Sequence, residues 1–290
     1  MNLQPDDATA MPHMDAIDEL LQRVQTLPPA PKLLPQLLTA LADVDTDIDR
    51  VVEIITFDPA LTARVLQVCN SAWYSTNSRA STIDEAVNRL GFHGIYTIAA
   101  VASSESLLKT SAHSALDSDA MWRHLVTSAF AAQNLAKFAQ AEGSMLFTAG
   151  LLHDIGKVPL AEVLHGDYDE LVTDPSLFGR TLAELETASF GLHHAEVGAR
   201  LLESWTFAPE FVASVRWHHD SGAAGENTHL AACVELADLI AHSLDAAEES
   251  VIADLLTAPC TAILRLDEDA LVRQRELVTG KAEMIDALCG

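Results

Sequence analysis

Residues 58–69 read D-P-A-L-T-A-R-V-L-Q-V-C, and this stretch predicts how the chain folds. Asp58 is a favourable N-cap residue, and Pro59 suits the first position of a helix because that position needs no amide donor. Apolar side chains then follow at helical spacing, at Leu61, Val65, Leu66 and Cys69. The segment therefore predicts a helix with one buried stripe.

The same pattern extends over most of the chain. Thr82 and Glu85 form a capping box, and Gly91 is placed to end the helix that begins there. No segment alternates as a strand would, and glycine (13) and proline (11) are few. We therefore predict an all-α fold. In the second half of the chain, helices are predicted near 119–140, 145–164, 181–188, 194–206, 209–219, 228–244, 247–257 and 267–287.

Interruptions of the helical pattern divide the chain into units. Residues 1–15 show no periodicity, and the run L-P-P-A-P at 27–31 should form a rigid elbow because proline lacks an amide hydrogen. Small polar residues dominate 103–118, where we predict a boundary between two lobes. The predicted units are a flexible tail (1–15), an N-terminal helical lobe (16–110), a second lobe (116–245) and a C-terminal helical extension (246–290).

Composition argues against several classes of protein. The chain of 290 residues has 42 acidic and 17 basic side chains, which gives a formal charge of −25. Such a field repels phosphate backbones and anionic lipid, so we expect no direct nucleic-acid partner and no membrane binding. The N-terminus lacks the features of a signal peptide, and no apolar run approaches the roughly 18 residues of a membrane span.

The four cysteines, Cys69, Cys233, Cys260 and Cys289, form no C-x-x-C pair and lie in apolar contexts. They are predicted to be buried free thiols, which are typical of a reducing compartment. We therefore expect a cytoplasmic protein.

Seven side chains of the second lobe have the chemistry of divalent-metal ligands. Imidazole and carboxylate groups are preferred by zinc, iron, manganese and nickel, and each of these side chains falls on or beside a predicted helix. The candidate ligands are His124, His153, Asp154, His194, His218, His219 and Asp238.

The adjacent pair His153 and Asp154 could bind one metal only together with side chains from other helices. His124 and Asp238 are candidates, because each lies in an apolar helix where an unpaired polar group is costly. The second oxygen of Asp154 could then reach a second metal.

The remaining ligands of that second metal would be His194, His218 and His219. A paired centre of this kind activates water and holds phosphoryl oxygens. Lys157 would be the cation that meets a phosphate at the mouth of the site.

A structural role is the alternative for each side chain taken alone, because a histidine in an apolar helix is usually a hydrogen-bonded core residue. Lys157 would then be a surface amine, and His193 a capping or surface neighbour of His194. We assign the structural role outright to His13, His93, His113, His165, His229 and His242.

With these residues assembled, the sequence resembles the HD superfamily, whose signature is a separated His, a His-Asp doublet and a closing Asp. It is most similar to the HD-related output domain, or HDOD, of bacterial signalling proteins, over residues of about 20 to 242. The matching segments are L-P-P-A-P at 27–31, D-P-A-L-T-A-R-V-L-Q-V-C-N-S-A-W-Y at 58–74, S-T-I-D-E-A-V-N-R-L-G at 81–91, A-G-L-L-H-D-I-G-K at 149–157 and H-A-E-V-G-A-R-L-L at 194–202.

The resemblance implies an HD-like helical core with an N-terminal helical lobe and a regulatory role. Partners would be two-component or cyclic-nucleotide signalling proteins, and the seven candidate ligands would hold one or two divalent ions of Fe, Mn, Ni, Zn or Mg. The related HD-GYP phosphodiesterases carry a Gly-Tyr-Pro loop after their tandem histidines. Here His218 and His219 are followed by D-S-G-A-A-G-E-N, so cyclic di-GMP hydrolysis is not expected.

Two functions remain open from the sequence. One is a non-catalytic regulatory protein that acts by binding proteins or small ligands. The other is a metal-dependent phosphohydrolase acting on a nucleotide or another phosphate ester, with Asp154 and Lys157 as catalytic residues. A metal that only clamps helices together is compatible with both.

Overall fold

A computed structural model gives the fold, and it describes residues 35–36, 40, 48–71, 73–74, 79–108, 116–173, 181–244 and 248–289. Within these ranges the regular structure consists of helices, without a β-strand, so the predicted all-α fold is confirmed. The predicted tail (1–15) and proline elbow (27–31) lie outside the described residues.

The first described helices are α1 (Ile48–Thr56), α2 (Pro59–Cys69) and α3 (Ile83–Leu108). Asp58 caps α2 as predicted, because its carboxylate accepts the amide hydrogens of Ala60 and Leu61 at 2.9 and 3.1 Å. The stripe is buried at Leu61, Val65, Val68 and Cys69, while Leu66 is half-buried.

Helix α3 is interrupted where the sequence predicts its end. Gly91 adopts φ +68°, a conformation that favours glycine, and the helix then resumes and continues to Leu108. Its second part is strongly apolar at Ile95, Ile98 and Ala99, which are fully buried. This burial holds the helix in place, so it continues to residue 108 although small polar residues replace the apolar pattern from residue 103.

Eight helices follow between residues 118 and 243. They are α4 (Ser118–Ala139), α5 (Gly143–Leu152), α6 (Lys157–Leu164), α7 (Gly166–Thr173), α8 (Leu182–Phe190), α9 (His194–Ser204), α10 (Pro209–Arg216) and α11 (Thr228–Ser243). Two 3-10 turns, Ser221–Ala223 and Gly225–Asn227, connect the last two helices. Helix α7 was not predicted from the sequence.

The single helix predicted over 145–164 is wrong, because the chain turns at residues 153–156 between α5 and α6. Adjacent residues of a continuous helix point about 100° apart, whereas the turn allows His153 and Asp154 to face the same centre. Gly156 allows α9 (His194–Ser204) to approach the turn closely, since a Cβ atom there would lie 1.9 Å from the His194 carbonyl oxygen.

Four helices complete the chain: α12 (Glu248–Thr257), α13 (Pro259–Leu264), α14 (Glu268–Thr279) and α15 (Ala282–Cys289). The predicted terminal helix at 267–287 is therefore two helices, and α13 was not predicted. Helix α15 contacts α4 and α2, because Asp286 pairs with Arg123 at 2.6 Å and the Leu288 carbonyl accepts from Arg64 at 2.9 Å.

Helix α4 is central to the second lobe and packs along α5 and α11. Gly150 permits the closest approach of α5 to α4, since a Cβ atom there would lie 2.7 Å from the Ser128 carbonyl oxygen. Cys69, Cys233 and Cys260 are buried, Cys289 is half-buried and all four are free thiols, as predicted. Across the described segments, no helix is both long enough and apolar enough to cross a membrane.

Candidate metal centre

The structure brings all seven candidate ligands together around Asp154. They come from five places in the second lobe: His124 on α4, His153 and Asp154 in the turn after α5, His194 at the start of α9, His218 and His219 just after α10, and Asp238 on α11. Residues far apart in the sequence thus form one cluster, most of which is buried.

One oxygen of Asp154 faces three histidines, and we call this group the second half-site. Asp154 Oδ1 lies 3.1 Å from His194 Nε2 and 3.8 Å from His218 Nε2. His219 is exposed to solvent, but its Nε2 lies 2.8 Å from His194 Nε2. These four ligand atoms lie within 4.8 Å of one another, so a single metal ion could contact all of them.

The other oxygen of Asp154 faces the first half-site, formed with His124, His153 and Asp238. Asp154 Oδ2 lies 3.4 Å from His153 Nε2 and 3.9 Å from His124 Nε2. Asp238 Oδ1 is 2.9 Å from His124 Nε2 and 3.4 Å from His153 Nε2. The two oxygens of Asp154 therefore face different sets of candidate ligands, so this carboxylate could contact two ions if both half-sites were filled.

His242, to which the sequence suggests a structural role, also lies beside the first half-site. Its Nε2 is 3.3 Å from Asp238 Oδ1, and its ring centroid is 4.3 Å from that of His124. Residues four apart on a helix share a face, so the spacing of Asp238 and His242 was the signal that could have revealed it. The ring is largely exposed and lies at the edge of the centre.

Three of the buried histidines are held in the orientation that metal ligands require. The Nδ1–H groups of His153 and His218 donate to the backbone carbonyls of Gly150 (2.8 Å) and Val215 (2.6 Å). The Nδ1–H of His194 donates to the Glu186 carboxylate at 2.6 Å. Because Nδ1 is engaged in each ring, Nε2 is the nitrogen that faces Asp154.

Several buried ligand atoms lack a hydrogen bond within the described part of the protein. They are His153 Nε2, His218 Nε2 and Asp238 Oδ1. Asp238 Oδ1 lies close to imidazole nitrogens, yet none approaches in a hydrogen-bonding orientation. Buried polar atoms of this kind are costly unless they have a partner, and a divalent cation would supply one. The residues therefore fit a metal.

Electrostatics in the centre oppose the effect of burial on the carboxylates. Burial would raise the pKa of Asp154, but His153, Lys157 and His194 hold it well below its usual range. The pKa of Asp238 is likewise held well below its usual range, despite burial, by the close approach of the His124, His153 and His242 imidazoles. Both carboxylates are therefore ionised, which is the form that binds metal.

The histidines divide into two kinds. Burial opposes the charged form of His153, but the carboxylates of Asp154 and Asp238 outweigh it and raise its pKa to about 10. Although His219 is exposed as a whole residue, partial desolvation of its ring and the charge of His194 lower its pKa to about 3. When no metal is bound, the proton on His153 balances the negative charge of Asp154 and Asp238. A metal ion would replace this proton.

Lys157 lies at the start of α6, and its ammonium group forms an ion pair with Asp154 Oδ2. Burial would lower the pKa of this lysine, but Asp154 raises it. Its side chain is mostly buried, so it is a charged neighbour of the bridging carboxylate.

Glu186 and Tyr168 are buried behind His194 and were not predicted as site residues. Tyr168 donates its hydroxyl hydrogen to Glu186 Oε1 at 2.6 Å, and Glu186 Oε2 accepts from His194. The sequence contains only a weak signal, an acid at a core-facing position of α8. His193 precedes α9 as predicted, but its side chain makes no capping bond and is half-buried.

The fold of the chain is similar to those of several solved structures. A structure of an HDOD domain protein of unknown function from Geobacter sulfurreducens superposes with a TM-score of 0.78 at 25% identity and covers 94% of this chain and 98% of that one. A structure from Shewanella amazonensis SB2B named "Putative phosphohydrolase" gives a TM-score of 0.73 at 26% identity, covering 93% and 96%.

An uncharacterized protein of Treponema pallidum (strain Nichols) is 25% identical over 209 residues, which span 71% of this chain but only 40% of that relative. The family model for the HDOD domain matches residues 27–221, well over half of the chain. Asp238 and His242 lie beyond this match, although the fold brings them to the same centre. The chain belongs to the HDOD domain family.

Proposed function

We propose that the protein is a divalent-metal-binding HDOD protein of bacterial signal transduction, which acts mainly by binding partners. The observation that carries metal binding is the shared arrangement of His153, His194 and His218. Each donates Nδ1–H inside the protein and directs Nε2 towards the bridging carboxylate. Such anchoring fixes the tautomer and orientation of a ligand before the metal arrives.

Charge favours a regulatory role over general phosphate hydrolysis. The formal charge of −25 repels phosphorylated substrates, and Lys157 at the centre is already paired with Asp154. The segment after His219 forms two 3-10 turns and lacks the Gly-Tyr-Pro sequence of the related phosphodiesterases. We propose two-component or cyclic-nucleotide signalling proteins as partners in the cytoplasm.

Metal content tests the metal-binding part of this proposal. Protein purified without a histidine tag should contain one or two equivalents of Fe, Mn, Ni, Zn or Mg by inductively coupled plasma mass spectrometry. The double variant His153→Ala, Asp154→Ala should lose them, whereas His229→Ala, an exposed histidine at the far end of α11, should not. Substoichiometric metal that is unchanged in the double variant would refute metal binding.

Partner capture tests the proposed role in signalling. The wild-type protein should recover histidine kinases, response regulators or cyclases from its native cell. Comparison with the double variant shows whether recovery depends on the centre. Recovery of none of these proteins would contradict the signalling role.

Phosphohydrolase activity is the second candidate, and the placement of Asp154 between two half-sites favours it. When bound, a pair of divalent ions would supply Lewis-acid chemistry to a phosphate ester. Asp154 would orient both ions, and Lys157 would hold positive charge next to them.

A screen of phosphodiesters and nucleotides with manganese, iron, nickel or magnesium tests this second candidate. Turnover that disappears in Asp154→Ala would support it. Flat progress curves with metal-loaded wild-type protein would instead favour the regulatory role.

A further inference from the structure

A buried chain of hydrogen bonds connects α7 and α8 to the second half-site. Tyr168 on α7 donates to Glu186 Oε1 on α8 at 2.6 Å. Glu186 Oε2 accepts two hydrogen bonds from His194, one from Nδ1–H at 2.6 Å and one from the backbone amide at 2.8 Å. Tyr168 and Glu186 are fully buried and His194 is 1% exposed, so water cannot replace these partners.

A carboxylate is an expensive choice at this position. Burial disfavours the charged form of Glu186, yet its two oxygens accept three hydrogen bonds, one from Tyr168 and two from His194. The rings of His153 and His218 receive the same support at Nδ1 from neutral backbone carbonyls. Orientation alone therefore does not require a charge, and the charge at Glu186 distinguishes the second half-site from the first.

We propose that Glu186 is a positioning residue that increases the affinity of the second half-site for a divalent ion above that of the first. A carboxylate at Nδ1 makes the opposite nitrogen a stronger electron donor than a carbonyl does. Tyr168 holds the carboxylate in place through its second oxygen. This inference rests on the proposed metal binding, and it adds an order in which the half-sites are filled.

A purely structural role for Glu186 is the competing explanation. His193, the N-cap residue of α9, makes no side-chain cap, and Glu186 accepts the amide hydrogen of His194 in its place. A glutamine at this position retains an oxygen that can accept from the amide and from Nδ1–H. Glu186→Gln therefore keeps the cap and removes the charge, which separates the two roles.

Cobalt titration provides the test. Metal-free wild-type protein is titrated with Co²⁺ and followed by visible absorption and calorimetry. His219→Ala removes a ligand of the second half-site and His124→Ala a ligand of the first, so these variants assign the two binding steps. Far-UV circular dichroism verifies that each variant is folded.

We expect the tighter step in wild-type protein to be the one lost in His219→Ala. Glu186→Gln should weaken this step by about 10- to 100-fold and leave the other step unchanged. Tyr168→Phe, which keeps the carboxylate but removes one of its hydrogen bonds, should weaken the same step by a smaller factor.

The outcomes separate this inference from the proposed function. If wild-type protein takes up no cobalt, metal binding itself is refuted. If it takes up cobalt and folded Glu186→Gln shows wild-type affinity at both steps, only the role of Glu186 is refuted. Should Glu186→Gln fail to fold, Tyr168→Phe decides, and an unchanged second half-site in that variant overturns the inference.

Discussion

Asp154 connects the two half-sites because each of its oxygens faces a different set of imidazoles. A buried carboxylate is costly unless opposite charge surrounds it, and here Lys157 and protonated histidines supply that charge. The metal-free centre is therefore balanced by protons. A divalent ion would displace them and keep the same carboxylates ionised.

The residues of the first half-site differ in exposure, and this difference predicts unequal contributions to metal binding. His124→Ala should weaken the first half-site by 100-fold or more, on the order expected for a lost ligand, and His242→Ala by less than about 10-fold. His242 is largely exposed and approaches Asp238 rather than Asp154. Calorimetric titration with Co²⁺ measures both, and a larger loss in His242→Ala would show that His242 is the true ligand.

Glu235, which is not one of the candidate ligands, provides a pH-dependent test of stability. It is half-buried on α11, where its carboxylate accepts the Ser221 amide hydrogen at 3.2 Å. Burial raises its pKa from the ordinary value of 4.5. The folded state therefore binds the Glu235 proton more tightly than the unfolded state does. The free energy of unfolding then falls as the pH rises from the unfolded-state pKa through the folded-state pKa.

Glu235→Gln should therefore be more stable than wild-type protein at about pH 8, by less than about 1 kcal/mol because solvent screens the group. The gain should shrink at about pH 5, where the wild-type carboxyl is increasingly protonated. Urea unfolding of metal-free protein measures it. The exposed Glu226→Gln is the matched control, and an equal gain in both variants would contradict the explanation.

The sequence predicted the residues whose chemistry is visible in the chain. Seven of them could be detected because each is a polar residue on or beside an apolar helix, and the structure shows that they converge. Glu186 and Tyr168 were missed because their importance depends on the position of α8 behind His194, and no spacing in the sequence encodes that contact.

At the scale of elements, the turn between α5 and α6 depends on glycine at two close contacts. A Cβ at Gly156 would lie 2.6 Å from the backbone nitrogen of Gly198 on α9, and one at Gly198 would lie 3.2 Å from that of Gly156. The two backbones therefore touch directly. This contact sets the distance between His194 and the His153–Asp154 turn.

Gly156→Ala should force α9 away from the turn. We expect a loss of stability of about 3 kcal/mol or more, since backbone on both sides cannot yield easily, and loss of metal from the second half-site. Gly166→Ala is the control, because a Cβ there meets nothing within 4 Å. Urea unfolding and metal analysis of both variants test this, and equal behaviour of the two would show that the contact is unimportant.

Helix type was predictable but helix ends were less so. The period of apolar residues continues through 145–164 and favours a continuous helix, although Gly156 and Pro159 are local signals against one. The break is imposed by tertiary contacts, namely the approach of α9 to Gly156 and the shared centre of His153 and Asp154. Local capping signals, as at Asp58, were reliable because their hydrogen bonds lie within one turn.

At the scale of the whole molecule, the proposed centre would tie distant parts of the chain together. Its ligands come from α4, the turn after α5, the start of α9, the end of α10 and α11. Unfolding would separate these segments, so metal should bind the folded state far better than the unfolded chain. Any ion that does so stabilises the fold by mass action.

Metal should therefore raise the melting temperature. At free metal about 100 times the dissociation constant, one occupied site adds about 2.7 kcal/mol, which corresponds to roughly 4–5 °C for a chain of this size. Calorimetric melting with metal and with a chelator should show this difference in wild-type protein and none in Asp154→Ala, which removes the bridge. Equal melting temperatures despite stoichiometric bound metal would mean that the ion sits outside the folded centre, because an ion held by three separate segments cannot leave their unfolding unchanged.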